Sequence, residues 1–214
     1  MISLAPPLAL RALSCPPLVP QLRVLRRRTH AGLTRAAATV PGGCWAFSTT
    51  GAVEGAYQIA TGALRSLSEQ QLIDCSQSLG NMGCKGGEMR MGFDYIKVNK
   101  GIDSEDDYPF TGANGECWTA AAKRVVATID SFTAVTTGSE VALVAAAALG
   151  PVSVAIEADQ PAFQHYKTGV FDAPCGTKLD HGVLLVGYDA DSYTVKNRSE
   201  PSRSTTVCLR RCAK

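Results

Sequence analysis

The spacing of apolar residues changes character near residue 150, and that change limits the folds open to this chain. Up to Leu149 the apolar positions recur at helical intervals, whereas beyond it they gather into short runs of strand type. Helices first and strands later point to an α+β fold with a helical lobe and a β lobe. A length of 214 residues accommodates one domain, or two small lobes that share a cleft.

The individual elements are legible in order. Gly42-Gly43 breaks the chain immediately before Cys44. Residues 44–61 then read CWAFSTTGAVEGAYQIAT, with Trp45, Phe47, Val53, Tyr57 and Ile59 at apolar positions and Gly62 as a stop. This predicts a largely buried helix with Cys44 in its first turn. Ser68-Glu69-Gln70-Gln71 is a capping-box pattern that opens a second, short helix ending near Cys75. The Gly-rich stretch from Gly80 to Gly87 predicts a loop. Met89, Phe93 and Ile96 fall at helical spacing before Gly101, and Ser139 can cap a fourth helix over 140–149. Strands are expected at 152–156, 182–188 and 193–195, with 189–192 as the turn of a hairpin.

Charge sets the first segment apart. Residues 1–43 hold six Arg and no Asp or Glu, so they carry +6, while the remainder carries −4. Residues 1–40 are therefore expected to be a leader, disordered or not part of the fold. Their apolar start is broken by Pro6, Pro7 and Arg11 and precedes the Arg cluster at 26–28. A secretory signal has the opposite order, and an Arg-rich, acid-free leader also matches a transit peptide, so no clear targeting signal is read. The net charge of +2 gives no reason to expect nucleic acid as a partner. No uninterrupted apolar stretch of about 18 residues is present, so no membrane partner is expected. Eight Cys suggest an oxidising compartment with some disulfides. With no Cys-x-x-Cys or His pair at ligand spacing, neither a metal site nor a cofactor is expected.

A thiol that performs acyl transfer needs to be ionised, to have a base within hydrogen-bond reach, and to have that base oriented by a third group. Cys44 meets the first need if it begins a helix, whose N-terminus favours an anion. Of the three His, His30 lies in the basic leader and His165 in a polar stretch, while His181 opens an apolar strand. Asn197 ends the next strand of the same hairpin, and its side-chain oxygen can accept the imidazole N–H. Asn197-Arg198-Ser199 is also a formal glycosylation triplet, which a buried Asn could not use.

Together these residues resemble the papain and cathepsin L family of cysteine peptidases. Gly42-Gly43-Cys44-Trp45-Ala46-Phe47-Ser48 is similar to the segment around that family's nucleophile, and Leu67 to Cys75 (LSEQQLIDC) to its second helix. Gly83-Cys84-Lys85-Gly86-Gly87 resembles its glycine-rich substrate wall. PVSVAIE at 151–157, Leu179-Asp180-His181-Gly182-Val183 and Val195-Lys196-Asn197 resemble its later motifs. The 137 residues from Cys44 to His181 fall within the family's range of roughly 130–150. The resemblance implies a papain-like two-lobed fold, with a helical lobe over 41–128 and a partial antiparallel β lobe over 129–197. It implies a cysteine-type endopeptidase that works through a thioester, with Cys44, His181 and Asn197 as catalytic residues. Gly86 and Gly87 would bind the substrate backbone, and Met89, Ala155 and Leu179 would line an apolar specificity pocket. The implied partners are peptide or protein substrates and proteinaceous peptidase inhibitors. The implied state is a monomer, and the implied location is lysosomal, vacuolar or extracellular.

The resemblance lapses at both ends, where the chain reads as incomplete. Ala38 stands where the family has a Gln as oxyanion donor, and Pro41 where it has a Cys that pairs with the Cys of the wall, here Cys84. A pair between Cys75 and Cys117 remains available. After Asn197 the family continues Ser-Trp-Gly, whereas Arg198-Ser199-Glu200 follow here, and 198–214 is expected to be an atypical tail without the family's last strands. Cys175 would lose its usual partner there, with Cys208 or Cys212 as substitutes. These departures raise the alternative of a catalytically inactive homologue that binds peptides or inhibitors.

Overall fold

The computed structural model describes residues 2–3, 42–119, 124–174, 176–200 and 203–210. In chain order the elements are β1 (Ile2–Ser3), α1 (Cys44–Thr61), α2 (Glu69–Cys75), α3 (Met89–Val98), β2 (Thr133–Ala134), α4 (Glu140–Leu149) and β3 (Val152–Ile156). There follow α5 (Pro161–Gln164), β4 (Val170–Phe171), β5 (His181–Tyr188), β6 (Ser192–Glu200) and β7 (Arg203–Arg210). Two single 3-10 turns follow α2, Gln77–Leu79 just before the expected Gly-rich loop and Gly83–Lys85 within it.

The helix boundaries follow from local chemistry. α1 ends where Gly62 takes a left-handed φ of 75° and donates its N–H to the Gln58 carbonyl. Ser68 Oγ accepts the Gln71 N–H at 2.9 Å to cap α2, and Ser139 Oγ accepts the Ala142 N–H at 3.2 Å to cap α4. Within α1, Trp45 to Gly55 are all buried, so this is a core helix enclosed on most sides and not an amphipathic surface helix.

The strands form one sheet in the order β2-β1-β3-β5-β6-β7-β4. Every pairing is antiparallel except β4 with β7. Two expectations need correction. Ile2 and Ser3 lie inside the sheet between β2 and β3, so the exclusion of the leader does not hold for those two residues. A two-residue strand has no periodicity to read, and its pairing is set by the open edge of β3. The rest of 1–40 lies outside the described residues. The tail contributes a full strand: β7 pairs with β6 from Ser192↔Arg210 to Glu200↔Arg203. Its run of Thr205, Thr206 and Val207 fits a strand, but it does not resemble the family's final strands, so the resemblance hid it.

Two apolar cores correspond to the two lobes. The first gathers Trp45, Val53, Leu67, Leu72, Ile73, Phe93, Ile96 and Ile102 around α1, α2 and α3. The second gathers Leu143, Val152, Val154, Val183, Leu185, Val195 and Val207 between α4 and the sheet. Ile129 and Phe132 still pack on the first core, so the chain crosses over slightly later than residue 128. Two residues of β5 reach the helical core: Val186 packs against it, and Leu184 is buried in it. Leu184 can do so because α1 passes close at Gly51, where a Cβ would stand 2.8 Å from Leu184 Cδ2.

The Cys75–Cys117 disulfide is formed and ties the end of α2 to the loop after Gly112 across 42 residues. Replacing both residues (Cys75→Ala with Cys117→Ala) is expected to lower the unfolding free energy by about 2–5 kcal/mol. The check is the midpoint of urea unfolding; an unchanged midpoint would show that the crosslink contributes nothing to stability.

Candidate active site

α1 and β5 bring Cys44 and His181 together although 137 residues separate them. Cys44 opens α1 after Gly43, which supplies no side-chain cap, so the helix N-terminus faces the thiol. The Gly182 N–H donates to Cys44 Sγ at 3.4 Å, which seats the sulfur against the first residues of β5. Cys44 and His181 lie near enough to shift each other's titration, through hydrogen bonding and charge. His181 Nε2 lies 2.7 Å from Asn197 Oδ1. An amide oxygen only accepts, so Nε2 carries the proton and Nδ1 is left for the thiol.

The sheet explains why Asn197 reaches the ring. Leu184 pairs with Lys196, and continuing that register sets Asn197 across from Val183. Asn197 therefore shares a face with His181, two positions along, where diagonal neighbours make contact. It lies within β6 and not at a strand end as the sequence suggested. The strand continues because β7 pairs with it there, Asn197 opposite Thr205.

The electrostatics couple the two groups. Burial alone pushes the Cys44 thiol up. The His181 hydrogen bond, the Gly182 N–H, the imidazolium charge and the Trp45 N–H outweigh it and hold the thiol below its ordinary range. Burial alone pulls His181 down. Its hydrogen bonds to Cys44 and Asn197, with the charges of Cys44 and Asp180, bring it above the ordinary imidazole value. Asp180 is fixed in turn, since its carboxylate accepts the N–H groups of Ala158 at 2.7 Å and Asp159 at 3.1 Å. The opposed shifts favour thiolate and imidazolium, a nucleophile beside an acid.

The glycine-rich segment stands beside this pair. Trp45 Nε1 donates to the Gly83 carbonyl at 3.1 Å and ties the wall to α1. A Cβ on Gly87 would meet Asn81 Oδ1 and, at 2.8 Å, Trp45 Cε2, so the close fit there requires glycine. Gly86 donates its N–H to the Gly83 carbonyl at 3.3 Å and accepts from the Met82 N–H at 2.9 Å. Asn81 holds the far side by accepting the Glu88 N–H at 2.8 Å and donating to Ser76 Oγ at 3.0 Å. Trp45 and Asn81 were not singled out as site residues from the sequence. Both are uncharged and read as core and loop, and only their contacts reveal the role.

The three residues expected to line a pocket are not equivalent. Ala155 pairs with Gly182 across β3 and β5, and a Cβ on Gly182 would stand 3.1 Å from Met89 Sδ. Met89 and Ala155 thus flank the residue after His181. Met89 also packs on the helical core. Leu179 is 61% exposed. Cys84 has a free thiol. Ala38, Pro41, Cys175 and Cys212 lie outside the described residues, and so do the expectations that rest on them. Among the described residues no cluster of His, Cys, Asp and Glu could hold a metal ion.

Comparison with known proteins gives the same family. Residues 34–200 match the papain family cysteine protease profile. Cysteine proteinase RD21A of Arabidopsis thaliana is 52% identical over 151 residues, 71% of this chain and 32% of the relative. Cysteine proteinase 6 of Dictyostelium discoideum is 54% identical over 151 residues, 69% of this chain and 35% of the relative. The chain thus spans about a third of the length of these curated relatives. Among solved structures, the Carica candamarcensis cysteine protease CMS1MS2, in complex with E-64, aligns with a TM-score of 0.76 and 36% identity. That alignment covers 88% of this chain and 87% of the other. The proform of Amb a 11, a ragweed pollen cysteine protease, aligns with a TM-score of 0.74 and 37% identity over 84% of this chain and 58% of its own. The fold, the sequence match and the arrangement around Cys44 agree: this chain belongs to the papain family of cysteine proteases.

Proposed function

We propose that this chain is a cysteine endopeptidase, with Cys44 as nucleophile, His181 as acid and base, and Asn197 as the residue that orients the ring. One observation carries the reading. A sulfur at a helix N-terminus accepts the N–H of Gly182, the residue after an imidazole whose Nε2 is held by an amide oxygen. The Cys44 thiolate attacks the peptide carbonyl and forms the C–S bond. The charge that develops on oxygen lies beside the N–H groups of the first turn of α1. His181 gives its proton to the leaving amine as the C–N bond breaks, which leaves a thioester. His181 then takes a proton from water, whose oxygen attacks the thioester. The C–S bond breaks, and the thiolate and imidazolium return.

The substrate lies extended in the cleft between the helical lobe and the β lobe. We assign its backbone contacts chiefly to Gly87. Gly86 already uses its own N–H and C=O within the turn, whereas among the described residues no partner occupies those of Gly87. Met89 and Ala155 form an apolar subsite with Leu179 at its rim. Peptides, proteins and proteinaceous inhibitors are the partners that fit such a cleft. A monomer suffices, since one chain supplies Cys44, His181 and Asn197. The Cys75–Cys117 disulfide supports a lysosomal, vacuolar or extracellular location. Among the described residues no helix is long and apolar enough to cross a membrane.

The direct test is labelling with an epoxide that alkylates activated thiolates, with E-64 in parallel because the Carica relative carries it. The adduct is expected on Cys44, and Cys44→Ser is expected to lower peptidase kcat/KM by at least ~10⁴-fold while the circular dichroism stays unchanged. Folded protein with no adduct at Cys44 would reject the reading.

The pH dependence has a definite sign. The reactive pair is lost as pH falls through the lowered thiol pKa and as pH rises through the raised imidazole pKa. The alkaline limb of the kcat/KM profile should therefore lie above the ordinary His value of about 6.5. Asn197→Ala removes a hydrogen bond that favours the imidazolium, so that limb should move to lower pH. A limb that stays in place would remove Asn197 from the mechanism.

Peptides with an apolar side chain at the Met89 subsite should be cleaved roughly tenfold or more faster than charged ones. Met89→Ala should reduce that ratio. Equal kcat/KM values across the peptide set would show that Met89 serves only the core.

A further inference from the structure

We infer that Ser48 and Ser153 are positioning residues that set the rotation of α1 on the sheet, and hence the direction in which Cys44 presents its sulfur. This rests on the proposed roles of Cys44 and His181. Ser48 follows Cys44 by four residues, so the two lie on one face of α1, a turn apart. Val183 follows His181 by two residues, so those two share a face of β5. Ser48 Oγ donates to the Val183 carbonyl at 2.8 Å. That bond therefore lies one step behind the Cys44–His181 contact along both elements. Ser153 Oγ, on the neighbouring β3, donates to the Ser48 carbonyl at 2.8 Å. Ser48 is thus held from both ends, its hydroxyl by β5 and its main chain by β3.

Both serines are buried, Ser48 at 2% and Ser153 at 0% exposure, at the boundary between the two apolar cores. Apolar contact is non-directional and tolerates a helix that turns a few degrees or slides on a sheet. A hydrogen bond weakens steeply as its angle departs from linear. The glycine approach of Gly51 to Leu184, one turn further on, fixes the separation of helix and strand but not the helix's rotation. The two serine bonds supply the missing constraint. They hold Cys44 where the Gly182 N–H and His181 reach its sulfur.

The experiment measures the rate of Cys44 alkylation against pH in the full chain, by mass spectrometry of the Cys44 peptide. Ser48→Ala and Ser153→Ala are compared with Thr50→Val. Thr50 also lies on α1 and is buried, but its hydroxyl donates to Glu69 Oε1 within the helical lobe, at 2.8 Å. Thr50→Val should lower the unfolding midpoint and leave the pH midpoint of alkylation unchanged. Each serine variant should move that midpoint up toward the ordinary thiol value of roughly 8.5 and slow alkylation at pH 6 at least about tenfold. A wild-type midpoint in the serine variants, with only a lowered unfolding midpoint as in Thr50→Val, would overturn the inference. Should Ser48→Ala fail to fold, Ser153→Ala decides alone, since it leaves the bond from Ser48 to β5 intact. A wild-type protein whose Cys44 already titrates like an ordinary thiol would instead reject the thiolate–imidazolium reading, and this inference with it.

Discussion

The seam between the first turns of α1 and the start of β5 is the contact on which the rest of this structure depends. On one side lies a helix buried almost all round; on the other lies a strand that begins with the only described histidine near the thiol. The helix belongs to one apolar core and the strand chiefly to the other, while Leu184 and Val186 of β5 reach across to the helix's core. The reactive geometry arises only where the two cores meet, so it is a property of lobe packing and not of either lobe alone.

The same seam decides the charge states. Burial opposes ionisation of both Cys44 and His181, and each group by itself would be driven toward its neutral form. Their mutual hydrogen bond and Coulomb attraction reverse that outcome for both. Cys84 provides an internal contrast. It is also a free, partly buried thiol and sits in the glycine-rich segment close by. Burial and the charge of Asp74 move it upward, away from reactivity. The two free thiols therefore differ in character although Cys44 is the more deeply buried, because one has an imidazole and a helix N-terminus and the other a carboxylate.

Much of this was legible in the sequence, and the exceptions share a cause. Helices α1 to α4 and β3 fall where the apolar spacing and the caps placed them, because Ser68, Ser139 and Gly62 act on their own neighbours. Cys44, His181 and Asn197 could be named because their residue types are rare and their motifs ordered. The strands and helices missed were β1, β2 and β4, each of two residues, the four-residue α5, and β7. Two residues carry no period, so pairing partners distant in sequence decide whether they become strand. The serine bridge was invisible for the same reason. Ser48 and Ser153 are common, uncharged residues, and only the fold places one hydroxyl on a carbonyl 135 residues away and the other on a carbonyl 105 residues away.

The segment after Asn197 shows how a site can persist where its surrounding motif does not. From Arg198 onward the side chains depart from the family pattern. What the imidazole requires of this segment is narrower: an amide oxygen within hydrogen-bond reach of Nε2, on a backbone that does not move. The backbone is fixed by ladders on both sides, β5 pairing with β6 through Leu184↔Lys196 and β7 pairing with it through Asn197↔Thr205. Strand pairing uses main-chain groups, so it holds Asn197 in register largely irrespective of the side chains that follow. The constraint on the ring is therefore carried by hydrogen bonds that any non-proline sequence in β7 can make.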